Sequence, residues 1–152
     1  MTEPQATLSA AQAQTVHELL ARHREQPGAL LPLLHAVQDA LGCVPPAAVP
    51  VIAQGLGLSR AEVHGVVTYY HHFRQQPPGR HVVQVCRAEA CQSRGGEALL
   101  AAARQHLPAD VTVEPVYCLG LCAQSPAVMV DEVPHARMTV QRLAALVQEG
   151  GQ

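Results

Sequence analysis

The sequence predicts an α+β chain in two parts, a small helical bundle over residues 1–77 and a β-α-β-β-β-α domain over residues 78–152. Three observations lead there. Apolar residues recur at helical spacing through the first half, short Val-rich runs replace them after residue 80, and Gln75-Gln76-Pro77-Pro78-Gly79 divides the two regimes.

Ser9 caps a first helix running to about Arg24, with Val16, Leu19 and Leu20 as its apolar stripe. Residues 29–42 read as a second helix that Gly42 stops. Pro32 is tolerated in its first turn, where backbone N–H groups have no helical partner. Pro45-Pro46 opens a third helix and Gly55-Leu56-Gly57 ends it. Ser59 and Glu62 form a capping-box pattern before a fourth helix carrying Val63, Val66 and Val67. Short turns between four short helices predict antiparallel packing.

In the second half, residues 81–85 read as a strand ending at Cys86. Gly95-Gly96 precedes a helix to about His106, and residues 111–116 form a second strand ending at Tyr117-Cys118. Pro115 favours a sheet edge or a strand terminus, because proline cannot donate to a ladder. Residues 127–130 and 133–136 flank Asp131-Glu132 as a hairpin, one lacking the usual turn glycine. Thr139 caps a last helix with Val140, Leu143, Ala144 and Val147 on its apolar side.

Composition excludes several function classes. The net charge is -2, from ten Arg, no Lys and twelve acids spread over both halves. Nucleic acid is therefore not an expected partner, since phosphate neutralisation needs clustered cations. No apolar run nears the roughly 20 residues that span a bilayer, and MTEPQATLSAAQAQ lacks the charged flank and apolar stretch of a secretion signal. The expectation is a cytoplasmic protein without direct membrane insertion. An odd number of cysteines, five, fits a reducing compartment.

The informative pattern is Cys86-x4-Cys91, 26 intervening residues, then Cys118-x3-Cys122. Each pair follows a predicted strand. If the strands are parallel neighbours, their carboxyl ends share one edge and the four sulfurs converge. Four thiolates suit a soft metal centre, either iron–sulfur or zinc. Both pairs are wider than the Cys-x2-Cys spacing usual for structural zinc, and a two-iron cluster can take one pair on each iron. A [2Fe–2S] cluster is the favoured reading, with zinc and unliganded thiols as alternatives. Thioredoxin-like exchange lacks its Cys-x-x-Cys, and a Rieske centre lacks its histidines.

Several longer segments carry a family resemblance. They are residues 28–35 (GALLPLLH), 58–67 (LSRAEVHGVV), 85–93 (VCRAEACQS), 117–123 (YCLGLCA) and 125–127 (SPA). The chain resembles the thioredoxin-like [2Fe–2S] ferredoxin family, which includes the small two-iron subunit of NADH dehydrogenase. Closer still, it resembles the gamma subunits of cytoplasmic NAD-dependent, molybdenum-containing formate dehydrogenases. The resemblance implies one [2Fe–2S] cluster on Cys86, Cys91, Cys118 and Cys122. It also implies docking on an FMN- and NAD-binding subunit beside a larger iron–sulfur catalytic subunit. FMN, NAD and the molybdenum cofactor belong to those partners, and the chain alone catalyses nothing. The alternatives are the equivalent subunit of an NADH:quinone oxidoreductase or NAD-linked hydrogenase, a free-standing ferredoxin, or a zinc-stabilised interaction module.

Cys43 belongs to neither pair and reads as a small, partly buried hydrophobe. His71 and His72 read as surface residues, His64 as a packing or interface residue, and His135 as an ordinary strand residue. Arg87 or Arg94 beside the cluster would favour its reduced form or meet an acidic partner. Tyr69, Tyr70 and Phe73 are either a packing seam between the halves or an interface anchor. Gly55-x-Gly57 follows no strand and is not a dinucleotide loop.

Overall fold

The computed structural model describes residues 7–149. The opening MTEPQA, part of the stretch read for a secretion signal, lies outside the described residues, as do positions 150–152. The chain forms two compact units, Met1–Pro77 and Pro78–Gln152.

The first unit holds α1 (Ala10–His23), α2 (Leu30–Leu41), α3 (Ala48–Leu56) and α4 (Arg60–Tyr69). Local chemistry sets their ends. Ser9 and Gln12 make a reciprocal capping box on α1, and Ser59 and Glu62 make one on α4. Gly42 and Gly57 take the left-handed conformation, at φ 76 and 68, that closes α2 and α3. Val16, Leu33, Leu34, Val37, Ile52, Val63 and Val67 form a buried core at helical spacing. Each such side chain contributes about 1.5–3 kcal/mol of apolar burial. Gln38 is the polar residue inside this layer. Its Nε2 donates to the His72 carbonyl at 2.8 Å, and its Oε1 accepts from the Arg74 N–H at 2.7 Å. Both amide ends are thereby satisfied, and the segment after α4 is held against α2.

Phe73 joins this core, whereas Tyr69 is 75% exposed and Tyr70 43%. The aromatic group therefore divides, one ring packing within the helical unit and two facing outward. His64, His71 and His72 are exposed. Cys43 is fully rather than partly buried, and burial pushes its thiol up.

The second unit runs β1 (His81–Cys86), α5 (Glu89–Ser93), α6 (Gly96–His106), β2 (Val111–Val116), β3 (Val128–Val130), β4 (Val133–His135) and α7 (Val140–Glu149). The strand order is β2-β1-β3-β4. β1 pairs with β2 in parallel, from His81 opposite Val111 to Cys86 opposite Val116. β1 pairs with β3 antiparallel, as does β3 with β4. Val83, Val85, Val128 and Val130 pack with Leu99, Leu100, Ala103, Leu143 and Val147 in one core of sheet and helices. Among the described residues β2 and β4 are the sheet's edges, and each carries a proline, Pro115 and Pro134. His135 lies opposite Val128 in the hairpin.

Asp131 and Glu132 make the β3–β4 turn with φ 46 and 70, the mirror-image geometry a two-residue hairpin demands. Asp131 tolerates it because its side chain is fastened. Oδ1 accepts from the Val82 N–H at 2.8 Å, and Oδ2 meets Nδ1 of buried His81 at 2.5 Å. Burial raises the Asp131 carboxyl, but the Val82 N–H and then His81 outweigh it and hold it below the ordinary range. That stability is present above the usual carboxylate range and is lost as pH falls through it. Asp131→Ala should cost about 2 kcal/mol at neutral pH by denaturant unfolding, since His81 is left buried with neither ring nitrogen partnered. The gap to the parent should narrow below about pH 4.

Candidate metal centre

The parallel pairing of β1 and β2 brings both cysteine loops to one edge of the sheet. Cys86 is the last residue of β1, and Cys118 follows the last residue of β2 by two. Each loop is shaped locally. After Cys86, α5 begins at Glu89 and carries Cys91 in its turn, a five-residue helix where the sequence suggests only loop. Gly95, at φ 89, lets the chain turn straight from α5 into α6. Cys118 itself sits in the left-handed region, at φ 75, as does Gly120 at φ 77. Cys122 opens a single 3-10 turn that ends at Gln124.

This backbone aims its N–H groups at sulfur. Burial raises the Cys86 thiol, yet the N–H of Ala88, the Cys91 thiol, and the N–H groups of Cys118 and Leu119 together hold it below the ordinary cysteine range. The left-handed turn at Cys118 costs about 1–2 kcal/mol, and it serves to point two consecutive N–H groups at the sulfur of the other loop. For Cys91, burial and the adjacent Cys86 push the thiol up, against an N–H from Ala127. Cys122 is pushed up chiefly by Cys118, with Sγ atoms 3.8 Å apart, and further by the charge of Cys86.

The four predicted residues thus come together as two pairs, Cys86 with Cys91 and Cys118 with Cys122. The first pair is 2% exposed and packs with Ala127, Val116, Leu119 and Leu121, while the second is exposed. Thiols paired this closely resist ionising together, and a metal centre that binds them as thiolates relieves that repulsion. Among the described residues no three or more His, Cys, Asp or Glu gather as one group, and the cysteines stand two by two. A mononuclear zinc site needs its donors about 2.0–2.3 Å from one centre. A binuclear cluster divides them two by two, and N–H groups directed at sulfur suit it as well. The donor set and its pairing fit a [2Fe–2S] cluster.

Arg87 is not the lone cation that its place beside Cys86 predicts. Its Nη2 and Nε lie 2.6 and 2.7 Å from Oε1 of Glu97, in the first turn of α6. Glu97 gives no signal in the sequence, because nothing there links positions ten apart across a loop. The Ala127 N–H is equally hidden, since it lies in a segment that reads as strand.

Comparison with known proteins agrees with this geometry. The thioredoxin-like [2Fe-2S] ferredoxin family matches residues 16–150. The subunit designated E of the NADH-quinone oxidoreductase of Escherichia coli strain K12 is 32% identical over 150 residues, covering 93% of this chain and 90% of that protein. Its counterpart in Pseudomonas aeruginosa is 33% identical over 142 residues, covering 87% and 84%. Among solved structures, an NAD+-reducing [NiFe]-hydrogenase in the air-oxidized state superposes with a TM-score of 0.59 at 28% identity. That match covers 84% of this chain and 23% of the hydrogenase chain, so this chain spans about a quarter of its length.

Gly95→Ala should lower stability by about 1 kcal/mol in denaturant unfolding, because its φ of 89 is strained for a residue with a Cβ. Gly95→Asn should cost less, since Asn accepts left-handed geometry more readily.

Proposed function

We propose a role in one-electron transfer, proceeding from the fact that this chain belongs to the thioredoxin-like [2Fe–2S] ferredoxin family. The reading is of a [2Fe–2S] electron-transfer subunit within an NAD(H)-linked oxidoreductase complex. One observation carries it: two cysteine pairs meet at the carboxyl edge of a parallel strand pair, with backbone N–H groups turned toward Cys86. When bound, the cluster supplies a centre that accepts and releases single electrons without proton transfer.

Each part of the chain then has a task. Cys86 and Cys91 would hold one iron, and Cys118 and Cys122 the other. The N–H groups of Ala88, Cys118 and Leu119 stabilise negative charge on the Cys86 sulfur. Ala127, Val116, Leu119 and Leu121 shield the inner pair from water, while the exposed outer pair forms the surface through which an electron passes to a partner. A reducing cytoplasm keeps all four thiols available to iron.

The relatives from NADH-quinone oxidoreductases, with the NAD+-reducing hydrogenase, favour a partner subunit that carries NAD and FMN. They support the NADH-linked branch more than the formate dehydrogenase expected from the sequence. Tyr69 and Tyr70, exposed together, suit an anchor on such a partner.

Anaerobically purified protein should contain about two irons and two sulfides per chain and give a paramagnetic signal on reduction. Serine at Cys86, Cys91, Cys118 or Cys122 should strip or destabilise the cluster, whereas Cys43→Ser should leave its absorbance unchanged. Iron-free, colourless protein after faithful assembly would overturn the reading. Mass spectrometry of tightly associated chains should find a flavin-binding subunit. A molybdenum-binding formate dehydrogenase chain in its company would restore the narrower assignment.

A further inference from the structure

We propose that Glu97 is a positioning and charge-balancing residue for the centre held by the four cysteines. On this proposal, the Arg87–Glu97 ion pair, rather than Arg87 alone, sets the reduction potential of that centre. The proposal rests on the cluster reading above.

Three contacts put this pair at the root of both loops. Arg87 follows Cys86 directly, and its N–H donates to the Val116 carbonyl at 2.8 Å, which ties it to the last residue of β2 ahead of Tyr117-Cys118. Glu97 follows Gly96, and Gly96 is pressed against the first loop. A Cβ built on Gly96 would stand 2.7 Å from the Cys86 carbonyl oxygen and 2.8 Å from that of Cys91. The first turn of α6 therefore touches the loop backbone on one side and grips Arg87 on the other, with Oε1 of Glu97 taking both Nε and Nη2. Side-chain exposures of 33% and 44% leave the pair partly shielded from solvent.

The electrostatic consequence has a definite sign. Four thiolates around a two-iron cluster leave a net charge of about -2 oxidised and -3 reduced. A lone guanidinium nearby would favour the more negative form and raise the potential. A carboxylate in hydrogen-bond contact cancels most of that field, because at a distance the pair acts as a dipole and not as a charge. Removing either partner therefore unmasks the other. A merely mechanical brace would behave differently, since loosening it from either side would disturb the loop in the same way.

Redox titration of the full chain with its cluster assembled, followed by absorbance and paramagnetic resonance, tests this. Glu97→Gln should raise the midpoint potential, Arg87→Gln should lower it, and the double variant should return toward the parent. Glu97→Asp and Arg87→Lys, which keep the charges, should stay near the parent potential. Opposite shifts that cancel in the double variant support the proposal. Unchanged potentials in cluster-loaded single variants, or shifts of the same sign in both, would overturn it. If the glutamine variants fail to retain a cluster, a marked shift in Glu97→Asp or Arg87→Lys would equally refute charge balance. Failure of the parent itself to assemble a cluster would count against the reading of the cysteines instead, and the two failures are thus separable.

Discussion

The parallel ladder between β1 and β2 is the constraint on which the site depends. Hydrogen bonding in register from His81–Val111 to Cys86–Val116 brings the carboxyl ends of two strands level. Two cysteine pairs 26 residues apart in sequence thereby become neighbours in space. A slip of one residue would turn Cys86 to the opposite face of the sheet, because side chains alternate along a strand. The core of Val83, Val85, Leu99, Leu100 and Leu143 prevents that slip, since any shift would expose those residues. Packing energy on one face of the sheet is in this way converted into the placement of two thiol pairs at its end.

The centre is asymmetric. Its inner pair lies at the end of β1 and in α5, under an apolar cover, and receives most of the directed N–H groups. Its outer pair sits on a loop whose left-handed residues, Cys118 and Gly120, keep the sulfurs at the surface. Burial limits the structural rearrangement that a change of charge can cause. Exposure brings the centre within reach of a docked protein. The proposed electron-transfer role needs both, and the two pairs would divide the tasks.

Much of this was legible in the sequence, and the exceptions share a cause. The Ser9 and Ser59 caps, the helix stops at Gly42 and Gly57, and the edge position of Pro115 follow from rules acting over a few residues. The convergence of the two cysteine loops followed once parallel pairing of the first two strands was assumed, whereas the order of strands across the sheet had no signal. What escaped were contacts between residues distant in sequence, such as the amide of Gln38 with His72 and Arg74, and the carboxylate of Asp131 with His81 and Val82. Glu97 reaching Arg87 across α5 belongs with them. Each is a polar side chain whose partner only the folded chain supplies. The α5 helix was missed for a different reason, since five residues carry too little periodicity to distinguish a helix from a loop.

The prolines at the two ends of the sheet have a consequence for how this protein meets others. With Pro115 on one outer strand and Pro134 on the other, neither border offers an unbroken row of backbone donors. A strand from a neighbouring molecule finds no template on which to continue the ladder. The protein is thereby guarded against self-polymerisation through its borders, and recognition by any assembly falls to side chains and loops.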